Sequence, residues 1–221
     1  MKGNIINMRI ISGKARGTKL YTLDGTATRP TLDRVKESVF NIIQNRIPES
    51  TVLDLFSGSG AIGLEFASRG ARKVLMCDKS KRAKAIIEAN IEKTHLKDNV
   101  YFYNLDYKEL LKKVQKEKFD IIYLDPPYKT NFIKDSIIDI LKYNCLKENG
   151  LIIFETDEEE RVLNEIKDLN IEVIDNRKYG RAYIVFLKEK IMTWLQRFSR
   201  RKEIYGNIYI VGNIRRHIRK Q

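Results

Sequence analysis

The chain has 221 residues, 43% of them hydrophobic, enough for one domain with a substantial core and too many for a chain disordered throughout. No apolar run reaches the length of about 18 residues that a membrane helix requires, and the first residues lack the apolar stretch of a secretory signal. The two cysteines, Cys77 and Cys145, form no CxxC pair or disulfide framework, so both are expected as free thiols of a cytoplasmic protein. The net charge of +13 is unevenly spread: residues 1–48 hold 9 basic and 3 acidic side chains, residues 190–221 hold 9 and 1, and residues 49–189 hold 24 and 25. A nearly neutral body with two basic ends is the electrostatic footprint of a protein with a polyanionic partner.

Residues 8–22 alternate and turn at Gly13 and Gly17, which predicts a small hairpin. Pro30 favours extended chain before it, and Thr31 is placed to cap a helix reaching about Asn45, with Val35, Val39, Ile42 and Ile43 at helical spacing. Strand and helix signals then alternate. Strands are predicted at residues 51–56, 73–78, 99–103, 119–124 and 150–155, and helices near 61–69, 80–94, 107–116, 131–143 and 158–168. Short apolar strands separated by helices make a parallel sheet covered on both faces. Two more strands, 171–175 and 182–187, are separated by a turn at Lys178, Tyr179 and Gly180. That is too short for a parallel crossover, so they are expected as an antiparallel hairpin at one end of the sheet.

The expected architecture is therefore α/β: a doubly wound, Rossmann-like sheet, mostly parallel, with a C-terminal antiparallel hairpin. A basic hairpin and helix (1–48) would pack on the body (49–189), and a basic tail (190–221) would follow. In the tail, Trp194, Leu195 and Phe198 share a helix face, residues 200–202 are basic and residues 207–214 read as a strand.

Between the first strand and its helix lies DLFSGSG, residues 54–60. Glycines there let a backbone approach a ligand closely. Gly58, Gly60 and Gly63 satisfy GxGxxG, and Asp78 follows Gly58 by 20 residues at the end of the second strand, where a carboxylate accepts both ribose hydroxyls of a nucleotide-like cofactor. That pattern fits NAD and S-adenosylmethionine alike. Two features favour S-adenosylmethionine. Asp54, inside the strand, can order the loop or reach the ammonium of a zwitterion, and would repel a pyrophosphate. Asp106, after the third strand, can accept from an adenine amino group, and it can equally cap the following helix.

After the fourth strand comes Asp125-Pro126-Pro127-Tyr128. Two prolines hold this loop extended, at the strand edge where open α/β sheets bind ligands. The carboxylate of Asp125 and the carbonyl of Pro126 can accept both hydrogens of an exocyclic amine, while Tyr128 stacks the base. These are the parts for methylating an amine conjugated to a ring. The bland alternative is a proline turn with a capping aspartate and a core tyrosine.

Taken together, DLFSGSG, DPPY and the upstream RIISGKARGTKL…TRPTLDRVKESVFNII resemble the bacterial RsmD-type 16S rRNA guanine-N2 methyltransferases, over about residues 8–188. The resemblance implies a class I methyltransferase fold, S-adenosylmethionine as methyl donor and a guanine amine of small-subunit rRNA as acceptor. It implies a cofactor site of Asp54, Phe56, Ser57, Gly58, Gly60, Asp78, Lys79 and Asp106, with Arg29, Pro30 and Thr31 beside the methionine end, and a catalytic loop of Asp125, Pro126, Pro127 and Tyr128. Arg9, Lys14, Arg16, Lys19 and the tail are the candidate phosphate contacts. His95 and His217 stand alone, so no metal is expected, and the protein is expected to be a monomer that acts on 16S rRNA or the small ribosomal subunit. The rival readings are a DNA adenine-N6 methyltransferase, which would use the same two loops, an NAD-dependent oxidoreductase, and a non-enzymatic RNA-binding or ribosome-assembly module.

Overall fold

A computed structural model of the chain describes residues 8–22, 30–127 and 130–190, with backbone alone for residues 30–33. Arg29, Tyr128 and the tail elements expected beyond residue 190 lie outside the described residues, as does the side chain of Thr31.

The strands are β1 (Thr51–Asp54), β2 (Lys73–Cys77), β3 (Val100–Tyr103), β4 (Phe119–Leu124), β5 (Leu146–Thr156), β6 (Ile171–Tyr179) and β7 (Ala182–Glu189). The helices are α1 (Pro30–Ile42), α2 (Ala61–Ser68), α3 (Lys81–Thr94), α4 (Tyr107–Lys113), α5 (Phe132–Lys142) and α6 (Glu159–Ile166). The strands join in one sheet of order β3-β2-β1-β4-β5-β7-β6. The first five run parallel, and β7 pairs antiparallel with both β5 and β6.

The alternation of strand side chains builds two cores. Val52, Val74, Ile121 and Ile153 point to one face and pack with Leu64 and Phe66 of α2. Their neighbours Leu53, Leu75, Ile122 and Ile152 point to the other and pack with Leu110 of α4, Ile137 of α5 and Val162 of α6. Burial on both faces explains why these strands carry so few polar residues. The chain winds outward from β1 through β2 to β3, then crosses back to β4 on the far side of β1. The β1/β4 boundary is thus a topological switch point, where the two following loops diverge and leave a crevice.

Four boundaries differ notably from the sequence expectation. Pro30 is the first residue of α1 and Thr31 lies inside the helix, so Thr31 is not its cap; the fixed φ and missing N–H of proline suit the first helical position. Helix α1 stops at Ile42, and a 3-10 turn, Gln44–Arg46, covers the remainder of the expected span. In the hairpin, Tyr179 pairs with Ala182, so the turn is Gly180-Arg181, with Gly180 at φ 63°. Strand β5 also begins early, because Leu146 pairs with Phe119 ahead of a register shift.

The segment 8–22 closes on itself through a single antiparallel bridge, Arg9 to Lys19. Ile10, Ala15 and Leu20 are buried in the same core as Val52 and Phe66. Its anchor is Glu65 of α2, fully buried, which accepts from Ile11 N at 2.8 Å and Ser12 N at 3.0 Å. The same carboxylate pairs with Arg69 Nε at 2.7 Å and Lys36 Nζ at 3.2 Å. A charge so deeply buried persists only with such partners.

Candidate active site

The loop after β1 owes its shape to two glycines in the left-handed region, Gly58 at φ 55° and Gly60 at φ 81°. Gly63 serves close packing: a Cβ there would lie 2.3 Å from Met76 Sδ on β2. Ser57, buried, stitches the loop to β2. Its N–H donates to Cys77 O at 2.9 Å, its hydroxyl donates to Asp54 O at 3.0 Å, and the same hydroxyl accepts from Cys77 N at 3.1 Å. Ser57 therefore spends its hydroxyl on holding the loop.

Asp54 is 1% exposed and accepts from Gly63 N at 3.2 Å. Burial pushes its carboxyl up to about 7, against the hydrogen bonds from Ser57, Gly63 and Phe56, with repulsion from Asp78 adding to the rise. Asp78, half-buried beyond the end of β2, accepts from Gly58 N at 3.0 Å and from Ser80 N at 2.8 Å. It braces the glycine loop from the side where the sequence expects the ribose. Asp106 caps α4 by accepting from Lys108 N at 3.0 Å. Its second oxygen lies 3.9 Å from the ammonium of Lys79. The capping role and an outward-facing oxygen therefore coexist in one side chain.

An aromatic wall closes this end of the crevice. The Phe56 ring lies 5.2 Å from Tyr107 and 6.0 Å from Phe132, nearly parallel to the latter; Tyr107 and Phe132 are 5.6 Å apart, and Lys79 Nζ stands 5.7 Å from the Phe132 centroid. The Tyr107 hydroxyl is buried with no hydrogen-bond partner. The sequence reading singled out Phe56 alone. Its missed companions were signalled by position, since each aromatic follows the end of a different strand, β1, β3 or β4.

Asp125 begins the loop after β4. It is exposed at the end of the strand. Desolvation, with repulsion from Glu155 and Asp54, raises its carboxyl well above the usual carboxylate range. The register puts these three acids on neighbouring strand ends: Asp54 is opposite Tyr123, and Leu124 is opposite Phe154. Glu155, 8% exposed, escaped the sequence reading, although an acid inside the run GLIIFET was its signal. Pro126 is buried and Pro127 exposed, and the Pro127 carbonyl accepts from Thr130 Oγ1 at 2.9 Å.

The structure thus brings Asp54, Phe56, Gly58, Gly60, Asp78, Lys79, Asp106 and Asp125 to one sheet edge. The candidate phosphate contacts are more dispersed. Arg9, Lys14, Arg16 and Lys19 are all exposed, but Lys14 donates through its backbone to Ser68 O at 2.8 Å, at the far end of α2. A helix of 8 residues separates this tip from the glycine loop, about 12 Å at 1.5 Å per residue. The hollow of about 380 Å³ lined by Ser12, Lys14, Gln44 and Arg69 belongs to that far edge, not to the crevice. Cys77 and Cys145 are buried free thiols, pushed up to about 12 and about 11 by burial. Among the described residues, no group of His, Cys, Asp and Glu is arranged to hold a metal ion, and no helix is long and apolar enough to cross a membrane.

The family model described as "Conserved hypothetical protein 95" matches residues 8–188. The "Ribosomal RNA small subunit methyltransferase D" of Buchnera aphidicola subsp. Baizongia pistaciae is 37% identical, over 75% of this chain and 82% of that protein. Its namesake in Haemophilus influenzae is 35% identical, over 71% and 82%. Among solved structures, yhhF from Escherichia coli aligns with a TM-score of 0.71 at 26% identity, over 84% of this chain and 99% of that one.

Proposed function

Because the chain belongs to the conserved hypothetical protein 95 family, that of the RsmD-type methyltransferases, we propose that it transfers the methyl group of S-adenosylmethionine to the N2 amine of a guanine in 16S rRNA. One observation carries the reading: the glycine loop and Asp125 flank the same switch point, on the adjacent strands β1 and β4. On this reading, donor and acceptor meet at that edge of the sheet.

The residues fit the cofactor. Gly58 carries no side chain over the loop, and nothing lies within 4 Å of where a Cβ would stand, so a ligand has backbone to approach. Asp78 takes the ribose hydroxyls, and Asp106 and the Phe56, Tyr107 and Phe132 wall take the adenine. Asp54 faces the methionine ammonium, and Arg29 and Thr31, which lie outside the described residues or have no described side chain, remain the sequence's further candidates for that end. When bound, the cofactor supplies an electrophilic methyl group on a sulfonium.

With the cofactor held there, its sulfonium methyl would pass in line to the guanine N2, the C–N bond forming as the C–S bond breaks, and the cationic amine would then give its proton to the ionised Asp125 carboxylate or to water. Asp125 and the Pro126 carbonyl orient the amine and stabilise its growing charge. A carboxyl raised by its surroundings is also a better proton acceptor, and the positive charge of the cofactor favours its ionised form. Tyr128 stacks the flipped base. The basic residues of the N-terminal arm and tail hold phosphates. The enzyme works as a cytoplasmic monomer.

Methyl transfer from labelled cofactor to 30S particles, free 16S rRNA and DNA, followed by nucleoside mapping, tests this. N2-methylguanosine in the rRNA arms is expected. N6-methyladenine in the DNA arm would replace this reading with that of a DNA methyltransferase.

A further inference from the structure

Asn90 sits in the middle of α3 and is fully buried. Asparagine is a poor helix former, and a buried amide is costly unless its groups are paired. Here three bonds are made. The side-chain oxygen accepts from Tyr21 N at 2.8 Å. The side-chain nitrogen donates to Tyr21 O at 2.9 Å and to Ser59 O at 2.9 Å. The orientation of the amide is unambiguous, because the reverse would set an oxygen against two carbonyls.

The two ends of this bridge belong to different machinery. Tyr21 closes the basic arm, eight residues before Arg29 in the sequence. Ser59 lies between Gly58 and Gly60 in the loop assigned to the cofactor. A second contact runs parallel to the first: the Ser59 hydroxyl donates to Met8 Sδ at 3.3 Å, and Met8 O accepts from Leu20 N at 2.8 Å. The two ends of the arm therefore reach the same loop residue, Met8 directly and Tyr21 through Asn90. Only an amide side chain offers a donor and an acceptor in the geometry of a peptide group, and Asn90 uses both to treat Tyr21 as a strand would.

We propose that Asn90 is a positioning residue that couples the RNA-binding arm to the cofactor loop, so that cofactor and RNA each raise the affinity for the other. This rests on the methyltransferase reading above. The mechanism is a shared ordering cost. Whichever ligand binds first immobilises the Tyr21, Asn90 and Ser59 junction, and the second finds it already ordered. Linkage makes the effect reciprocal.

The test uses the full chain, S-adenosylhomocysteine and a 16S rRNA fragment that the protein methylates. RNA affinity is measured at fixed salt with and without saturating S-adenosylhomocysteine. For the native protein we expect RNA to bind at least about fivefold tighter with S-adenosylhomocysteine, the lower end of ordinary coupling. The same ratio should appear in S-adenosylhomocysteine affinity with and without RNA. Asn90→Asp sets a carboxylate against two carbonyls and should bring the ratio close to one. If that variant does not fold, Asn90→Ser serves in its place. Amide exchange of the native protein adds an independent reading: the Tyr21 N–H should exchange several-fold more slowly once S-adenosylhomocysteine is bound.

A native ratio of one with both ligands binding would overturn the coupling and leave the methyltransferase reading standing. Failure of the native protein to bind either ligand would overturn that reading itself. A folded Asn90 variant with the native ratio, or Tyr21 exchange indifferent to S-adenosylhomocysteine, would reduce Asn90 to a structural clamp.

Discussion

At Asp54, burial and function pull in opposite directions. The carboxyl is raised to about 7 chiefly because it is cut off from water, so in the empty protein its ionisation works against the fold. Its folded value lies above the unfolded one, so this group makes the empty protein less stable as pH rises from the ordinary carboxylate range through about 7. A cofactor ammonium favours the charged form, so binding expels a proton. Calorimetry near pH 7 in buffers of different ionisation enthalpy should read a net release of protons on cofactor binding. Affinity should fall as pH drops below that point and level off above it, and Asp54→Asn should abolish both effects. Binding with no proton exchange would show that the ammonium sits elsewhere. Asp125 poses the complementary case. Asp125→Ala should lower methyl transfer about 10²–10³-fold, the usual loss for one preorganised group facing developing charge, while S-adenosylhomocysteine still binds by calorimetry. In the native protein the rate should climb with pH as Asp125 ionises. A variant that turns over at the native rate would reduce Asp125 to a turn residue.

Among elements, the N-terminal arm depends most on one side chain beyond itself. Segment 8–22 has a single bridge of its own, too little to hold a hairpin in water. It gains its place by burying Ile10, Ala15 and Leu20 and by offering two backbone N–H groups to Glu65. Glu65→Ala would strip that carboxylate from Arg69 and Lys36 inside the core. Urea unfolding should show a loss of about 3–5 kcal/mol, as for other broken buried pairs. A loss under about 1 kcal/mol, the level of an exposed pair, would mean that the arm is held by its apolar contacts alone. The arm's existence was legible in its alternation and its glycines; Glu65 as its anchor was not. Nothing in GLEFAS distinguishes an acid facing solvent from one facing a chain segment more than 50 residues away.

For the whole molecule, the uneven charge makes the prediction. Buried core residues run from Ile10 to Leu187 among the described residues, so deleting residues 190–221 removes none of them. The truncated protein should keep its melting temperature within a few degrees, bind RNA less tightly and show a shallower dependence of RNA affinity on salt. Native RNA binding should fall steeply with salt while cofactor binding stays nearly flat, because only the former releases counterions. An unchanged salt slope after truncation would remove the tail from the RNA interface.

What the sequence determined by itself was whatever local pattern encodes. Alternating short apolar runs and helical periods specified a parallel sheet, a crossover too short to be parallel specified the closing hairpin, and DLFSGSG and DPPY marked two loops at strand ends. Those features need only neighbours along the chain. Tertiary structure decided what depends on which strands lie side by side. The order β3-β2-β1-β4 sets the two loops across one crevice, and the β4–β5 register brings Glu155 to Asp125. It also gave the hydroxyl of Ser57 partners on β1 and β2 that the sequence does not show. The start of α1 moved as well: Pro30 takes the first helical position, which its fixed φ and missing N–H suit, and Thr31 lies inside the helix. The tertiary surroundings, finally, gave Asp54 and Asp125 their raised affinity for protons, because desolvation and the approach of other acids are set by the fold and leave no mark in the order of residues.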